Sequence, residues 1–523
     1  MVGRTGTTLV PTGEFGPFDL LADLAHGMYI DGYSERSVRA CRAGVVLTLA
    51  AGDRVTTQFL RYIEGVALQE VGRHREAVTV ALDLLDELED EPDPLWRAKA
   101  LALLAEASVQ VSEVSRAMDA LAEATWIVAH TTPGLYSHLS ASMAVALALR
   151  AVYLFEQADA MLAGIETVGN LEADLFVVQE QALLSAYWAT TLLVVGDSAA
   201  AAPQLIRAAE RTLRMGRVAA SAGNVEMVAR AEVIEAYAFS KLGYVGFAAG
   251  RVREASTRFR LRDELIETNL ARLVLGEAAT QDGDFAAARV HLGAAWKSAQ
   301  RASRDIWSAA AMEAMADVDV AEHGQHPAVD LWKQLAREAL GRVWVERDGR
   351  FTSLQTRNQV RALTAETSRM GQAALLDPLT GLGNRRMLAG AVDQAGDDLA
   401  AVFVDVDQFK LVNDHFSHAV GDEVLRRLAV ILRAHCRADD VLVRYGGDEF
   451  VILVFGGGLA AEEVADRLHH AVRHAPWGLI AAGLAVTVSV GVGRPVPAHG
   501  AIAAADSALY AAKRAGRDRV VAV

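Results

Sequence analysis

Two short acidic stretches have the composition of a reaction centre: Asp405-Val406-Asp407, and Gly446-Gly447-Asp448-Glu449. Carboxylates a few ångströms apart on a rigid frame are suited to hold Mg²⁺, a hard cation that takes oxygen ligands and shares its shell with substrate phosphates. The paired glycines allow a backbone to approach a nucleotide where any side chain would block it. Taken singly, a Gly-Gly is an ordinary hairpin turn and a strand-terminal Asp an ordinary turn former. The combination suits nucleotidyl transfer.

The elements that must position these residues follow from hydrophobic period. Residues 399–406 read as a strand, 421–435 as a helix, 441–445 and 450–455 as two strands around a Gly-Gly turn, 460–474 as a helix and 485–492 as a strand. The order βαββαβ describes a split βαβ sheet, in which the first and second strands run parallel with the third inserted antiparallel between them. The carboxyl end of the first strand then lies beside the hairpin tip, so Asp405 and Asp448 are expected to converge.

Arg444-Tyr-Gly-Gly-Asp-Glu-Phe450 resembles the signature of the GGDEF family of diguanylate cyclases. Asp377-Pro-Leu-Thr-Gly-Leu-Gly-Asn-Arg-Arg386 looks like its opening motif, and Asp405-Val-Asp-Gln-Phe-Lys-Leu-Val-Asn-Asp414 like its metal and guanine motif. His418, Gly421-Asp422, Ser489-Val-Gly491, Asp506 through Lys513, and Gly516-Arg517 follow at the family's spacing. The resemblance implies a ferredoxin-like, palm-type core that condenses two GTP molecules into cyclic di-GMP, with Mg²⁺ (or Mn²⁺) as cofactor. It implies metal ligation by Asp405, Asp448 and the Val406 carbonyl, with Asp448 also accepting the ribose 3′-hydroxyl proton. Glu449 completes the catalytic set with Lys410, which would steady phosphate charge. Asn413 and Asp422 would match the guanine edge with His418 supporting them, Gly446 and Gly447 would border the nucleotide, and Lys513 and Arg517 would hold the triphosphate. Each copy holds one GTP, so a homodimer is implied.

Family members that respond to their product carry Arg-x-x-Asp five residues before the Gly-Gly, where this chain has Arg437-Ala-Asp-Asp440. An inhibitory cyclic di-GMP site is therefore expected, the other use of such an arginine being to oppose a helix dipole. One departure is Ser417, where the family usually has glycine before the histidine; if φ is positive there, serine costs on the order of 1 kcal/mol and reduces activity. His469, His470 and His474 read as the solvated face of a helix rather than a metal site. The alternative to a cyclase is a weak domain serving as a GTP or cyclic di-GMP receptor.

Ahead of this region the chain is alanine-rich and amphipathic with a helical period. Turns at Gly72, Ser112, Gly196 and Gly283 recur at roughly 40 residues or a multiple of it. The segment 68–88 resembles a tetratricopeptide repeat, and stacked hairpins of this kind leave a groove for a protein or peptide, unless their own chain fills it. In residues 351–376, Val360, Leu363, Thr367, Met370 and Ala374 alternate at spacings of three and four, the pattern of a dimer seam. The expected plan is multidomain: a flexible N-terminus over residues 1–17, an all-α repeat array over 18–345, a helical connector over 346–376 and an α/β GGDEF domain over 377–523.

The net charge of −15 excludes general phosphate-backbone tracking, so no nucleic-acid partner is expected. Two cysteines far apart, with no apolar leader and no spanning segment, predict a cytoplasmic protein that does not engage membranes.

Overall fold

A computed structural model describes residues 18–89, 91, 93–133, 136–165, 171–394, 399–455, 457–494 and 498–523; the expected flexible N-terminus lies outside them. The chain divides into two compact units, residues 1–360 and 361–523.

The first unit is helical throughout. It runs through α1 (Asp19–Ile30), α2 (Ser34–Ala51), α3 (Arg54–Glu70), α4 (His74–Glu87), α5 (Pro94–Gln110), α6 (Val114–Ala129), α7 (Tyr136–Ala151) and α8 (Phe155–Ala163). It continues through α9 (Leu171–Val194), α10 (Ser198–Ser221), α11 (Val225–Lys241), α12 (Val245–Ala255), α13 (Ile266–Gln281), α14 (Phe285–Arg301) and α15 (Asp305–His323). Each helix packs on the next, and odd-numbered helices also pack on one another as an inner layer. The expected turns are present, and they belong to a finer series. Positive φ angles recur at Gly32, Gly52, Gly72, Ser112, Tyr153, Gly196, Gly223, Gly243, Gly283 and Ser303, so many successive breaks lie about 20 or 40 residues apart. Several glycines are followed at once by an N-cap: Asp53, Asp197, Asn224 and Asp284 each accept a backbone N–H from the first turn of the next helix.

The array closes on itself. Helix α15 packs on α9, Arg304 pairs with Glu70, and a side chain at Gly72 would meet the Arg301 carbonyl at 2.4 Å. The inner groove is thus lined by the chain's own helices.

Helix α16 (Pro327–Ala373) is a single 47-residue helix that runs unbroken through residues 345 and 346, the expected boundary between array and connector. Its Trp344, Phe351 and Leu354 pack into the hydrophobic core of the first unit. Val360, Leu363 and Met370 are 57%, 56% and 59% exposed and form an apolar stripe along the helix. No helix among the described residues is long and apolar enough to cross a membrane.

The second unit contains α17 (Arg385–Gln394), β1 (Leu399–Val406), α18 (Phe409–Phe416), α19 (His418–His435), β2 (Val441–Arg444), β3 (Glu449–Phe455), α20 (Gly457–Arg473), β4 (Val488–Gly493), α21 (Ala498–Arg514) and β5 (Val520–Ala522). The sheet order is β2-β3-β1-β4-β5. Strand β3 pairs antiparallel with both β1 and β2, which makes those two parallel, as expected. Sequence period did not reveal α17, α18 or β5, and it began the last expected strand three residues before Val488.

Every residue of β1 is buried because both faces of the sheet are covered. Ala400, Val402, Val404 and Val406 join one core with Leu428 and Leu468, while Leu399, Ala401 and Phe403 join another with Leu388 and Leu509. Helix α21 lies so close to β4 that a side chain at Gly491 would meet the Ala505 carbonyl at 2.1 Å and the Leu509 nitrogen at 2.2 Å. Gly491→Ala is therefore expected to destabilise the second unit by about 3 kcal/mol. The check is amide-exchange protection of β4 in increasing urea, which should be lost at lower denaturant than in the parent.

Candidate active site

The antiparallel register of β1 and β3 sets Asp405 opposite Glu449. One residue further, the Val406 nitrogen donates to the Asp448 carbonyl at 3.2 Å. The two acidic stretches are therefore in contact. Asp405 is 6% exposed, and Lys513 Nζ on α21 meets its Oδ2 at 2.7 Å. Burial raises the Asp405 carboxyl to about 6 against the opposing effect of Lys513, with Asp448 and Glu449 adding to the rise. A buried carboxylate that already recruits an ammonium, with two further acidic residues beside it, has the hard-oxygen donor set and excess negative charge that suit a divalent cation.

Asp407 has a different task. Its carboxylate accepts from Thr487 Oγ1 at 2.7 Å, Ser489 Oγ at 2.6 Å and the Asp518 backbone nitrogen at 3.0 Å. This ties β1 to β4 and to the turn after α21. That turn has positive φ at three successive residues, Gly516, Arg517 and Asp518, a conformation that must be held from outside. Asp518 is held further by His469 Nε2 at 2.9 Å and Arg473 at 3.0 Å. The turn carries Arg517, exposed, just beyond the end of the helix that bears Lys513. His469 is thus no member of a solvated face: it is partly buried on a carboxylate that helical spacing along α20 did not reveal.

The opening motif acts as a clamp. Asp377 Oδ1 accepts from the Thr380 nitrogen at 2.8 Å, and both of its oxygens lie 3.2 Å from Arg444 Nη1. Arg444 in turn donates to the Gly447 carbonyl through Nη2 at 2.7 Å, fixing the hairpin. Burial works against the charge on Asp377, but hydrogen bonds from Thr380 and Arg444 hold its carboxyl below the ordinary range. Nothing lies within 4 Å of where a Gly447 side chain would stand, so the hairpin tip faces open space.

A second group forms at the corner between α18 and α19. A side chain at Gly421 would lie 1.9 Å from Asn413 Oδ1, so glycine there is what lets the Asn413 amide lie against α19. Lys410, His418 and Asp422 are exposed on the same two helices. Ser417, between them, has φ 129° and ψ 160°, a region almost reserved for glycine. Its hydroxyl caps α19 through the Val420 nitrogen at 3.4 Å. Arg437 and Asp440 share a turn after α19: the Arg437 nitrogen donates to Asp440 Oδ2 at 2.8 Å, leaving the Arg437 side chain exposed.

Replacing Ser417 by glycine removes the strained φ at the loss of a cap that glycine nearly matches. Ser417→Gly is expected to stabilise the second unit by about 1 kcal/mol, read as a higher urea midpoint. Ser417→Ala retains the strain and should show no gain.

Residues 374–519 match the family described as "Diguanylate cyclase, GGDEF domain". The chain is similar to diguanylate cyclase DgcP of Pseudomonas aeruginosa, 36% identical over 192 residues, which cover 34% of this chain and 28% of that protein. It is also similar to response regulator PleD of Caulobacter vibrioides, 37% identical over 185 residues, which cover 32% of this chain and 40% of that protein. This chain thus spans less than half the length of either relative. Among solved structures, the coiled coil and GGDEF domain of DgcB from Caulobacter crescentus, in complex with c-di-GMP, is 26% identical with a TM-score of 0.30, covering 34% of this chain and 100% of that one.

Proposed function

We propose that the protein is a diguanylate cyclase, condensing two GTP molecules into cyclic di-GMP with release of two pyrophosphates. The observation that carries this is the register of β1 against β3, which brings Asp405, Val406, Asp448 and Glu449 together beneath Lys513. In each of two steps a ribose 3′-oxygen bonds to the α-phosphorus of the other nucleotide and the bond to the β-phosphate oxygen breaks. Asp405, Asp448 and the Val406 carbonyl would hold Mg²⁺, which when bound neutralises phosphate charge. Asp448 accepts the 3′-hydroxyl proton, and Glu449 adds negative charge beside the metal ligands. Lys410 steadies the reacting phosphate while Lys513 and Arg517 grip the leaving pyrophosphate. Asn413 and Asp422 read the guanine edge, with His418 beside them.

The second unit has the βαββαβ order of a ferredoxin-like, palm-type core, and each copy presents one nucleotide. Reaction then requires two copies, and the apolar stripe of Val360, Leu363 and Met370 on α16 supplies a seam for a parallel pair. The first unit is read as a tetratricopeptide-like regulatory array.

With GTP and Mg²⁺, the protein is expected to release pyrophosphate and form cyclic di-GMP, and Asp448→Ala to lower the rate by about 10²-fold or more. Binding of GTP without pyrophosphate release would favour a receptor instead. Arg437 on its preformed turn supports feedback by the product. Arg437→Ala should raise the cyclic di-GMP concentration needed for half-inhibition by roughly tenfold or more, since one charge-assisted contact is lost, while the uninhibited initial rate stays near that of the parent.

A further inference from the structure

The inner layer of the first unit holds a partly open cavity of about 260 Å³, lined from α1, α3, α5, α7, α9, α11 and α13. We propose that this cavity is a binding site for a small organic cation with an apolar body. Its lining carries five carboxylates, Glu70, Glu106, Glu180, Glu264 and Glu267, against three guanidinium groups, Arg150, Arg230 and Arg304. Each guanidinium group meets a carboxylate, although Arg230 Nε and Arg304 Nη1 are buried without a hydrogen-bond partner. Arg150 meets Glu180 at 3.1 Å, Arg230 meets Glu267 at 3.3 Å, and Arg304 pairs with Glu70.

Glu106 is left with the neutral amide of Gln69 at 3.2 Å and no directly paired cation among the described residues. His26 adds no positive charge, because burial, and then Lys99, push it down to about 4. Gln179, 5% exposed, donates to Glu267 at 2.9 Å while its buried Oε1 has no partner. An unmatched carboxylate and an unmet acceptor both call for N–H donors.

The remaining lining fits the rest of such a ligand. Tyr29, Tyr62 and Tyr187 line the cavity with aromatic surface of the kind that attracts cations through the ring quadrupole, and Arg150 already lies 4.6 Å from the centre of the Tyr187 ring. The same preference is visible close by, where Lys99 Nζ lies 4.4 Å from the centre of the Tyr62 ring and 4.0 Å from that of Trp96. Leu139, Met143 and Leu183 supply an apolar wall. Burial raises the carboxyls of Glu106 and Glu180, Arg150 opposing the rise in both. A bound cation would offset the same burial penalty that otherwise favours a proton.

The site also adjoins the helix that leaves the unit. Glu70, Glu106, Arg150, Tyr187 and Arg304 are shared with a neighbouring cavity of about 120 Å³ that is also lined by Tyr153 and Phe155. Phe155 packs against Trp344 of α16 at 6.0 Å between ring centres, and Arg350 of α16 donates to the Val152 carbonyl at 3.3 Å.

The test uses the full chain and does not depend on the reaction at the second unit. Phenethylammonium, agmatine and choline are titrated by calorimetry and thermal shift, beside uncharged phenethyl alcohol and anionic phenylacetate. At least one cation is expected to bind and to raise Tm by a few degrees at about 100 times its Kd, with neither control doing so. Glu106→Gln, which preserves shape, should weaken that cation by about tenfold or more. Met143→Trp, which fills the cavity without touching an ion pair, should abolish binding even if Glu106→Gln fails to fold. Binding of none of the three cations, equal or tighter binding of phenylacetate or phenethyl alcohol, or cation binding unaffected by Met143→Trp would overturn the proposal.

Discussion

Asp405 is a carboxylate at the end of a strand buried along its whole length, and the unfavourable energy of a charge in that position is the constraint around which the second unit is arranged. Transfer of a carboxylate from water is tolerated only with a cation close by. Here the cation is Lys513, brought in by α21, and α21 can reach it because β4 has glycine at 491 and 493, where a Cβ would collide with helix backbone. The packing of small residues thus serves an electrostatic end. The same lysine, paired with a carboxylate that lies opposite Glu449, marks a locus where positive charge is stabilised.

The neighbouring acid shows how two residues of one type, two positions apart, divide the work. Asp405 keeps lone pairs for a cation, whereas three hydrogen-bond donors occupy Asp407. Through the Asp518 nitrogen, Asp407 holds a turn of three left-handed residues that bears Arg517. The end of the site that bears Arg517 is therefore built from β1, β4 and α20 together, and Asp377 performs the corresponding duty for the hairpin by way of Arg444.

Much of this was legible before any coordinates. Alternating apolar residues gave the order of strands, and the order alone implied that β1 and the hairpin tip are neighbours, since a split βαβ sheet allows few other arrangements. Ser417 was recognisable as a residue in a glycine position, and its φ of 129° bears that out. Helices α17 and α18 were missed because segments of ten and eight residues carry too few apolar positions to establish a period. The pairing of His469 with Asp518 joins residues 49 apart across two elements, and nothing in the spacing within α20 encodes it. In the helical array, four turns were visible and the finer 20-residue rhythm was not: Tyr153 and Ser303 adopt the left-handed conformation without being glycine, and Gly32, Gly52, Gly223 and Gly243 stand in a sequence whose other glycines, such as Gly44 and Gly65, lie inside helices. Closure of the array depends on contacts such as Arg304 with Glu70, 234 residues apart, which no local pattern announces.

The proposed assignment of Asp405 as metal ligand and Asp407 as support separates two roles that composition alone leaves equal. The most direct measurement is Mn²⁺ binding in the presence of a non-hydrolysable GTP analogue, followed by electron paramagnetic resonance in the parent, Asp405→Asn and Asp407→Asn. The predicted result is loss of bound Mn²⁺ in Asp405→Asn, with Asp407→Asn retaining the ion and showing weaker affinity for the nucleotide. Retention of Mn²⁺ in Asp405→Asn together with its loss in Asp407→Asn would contradict the site described here.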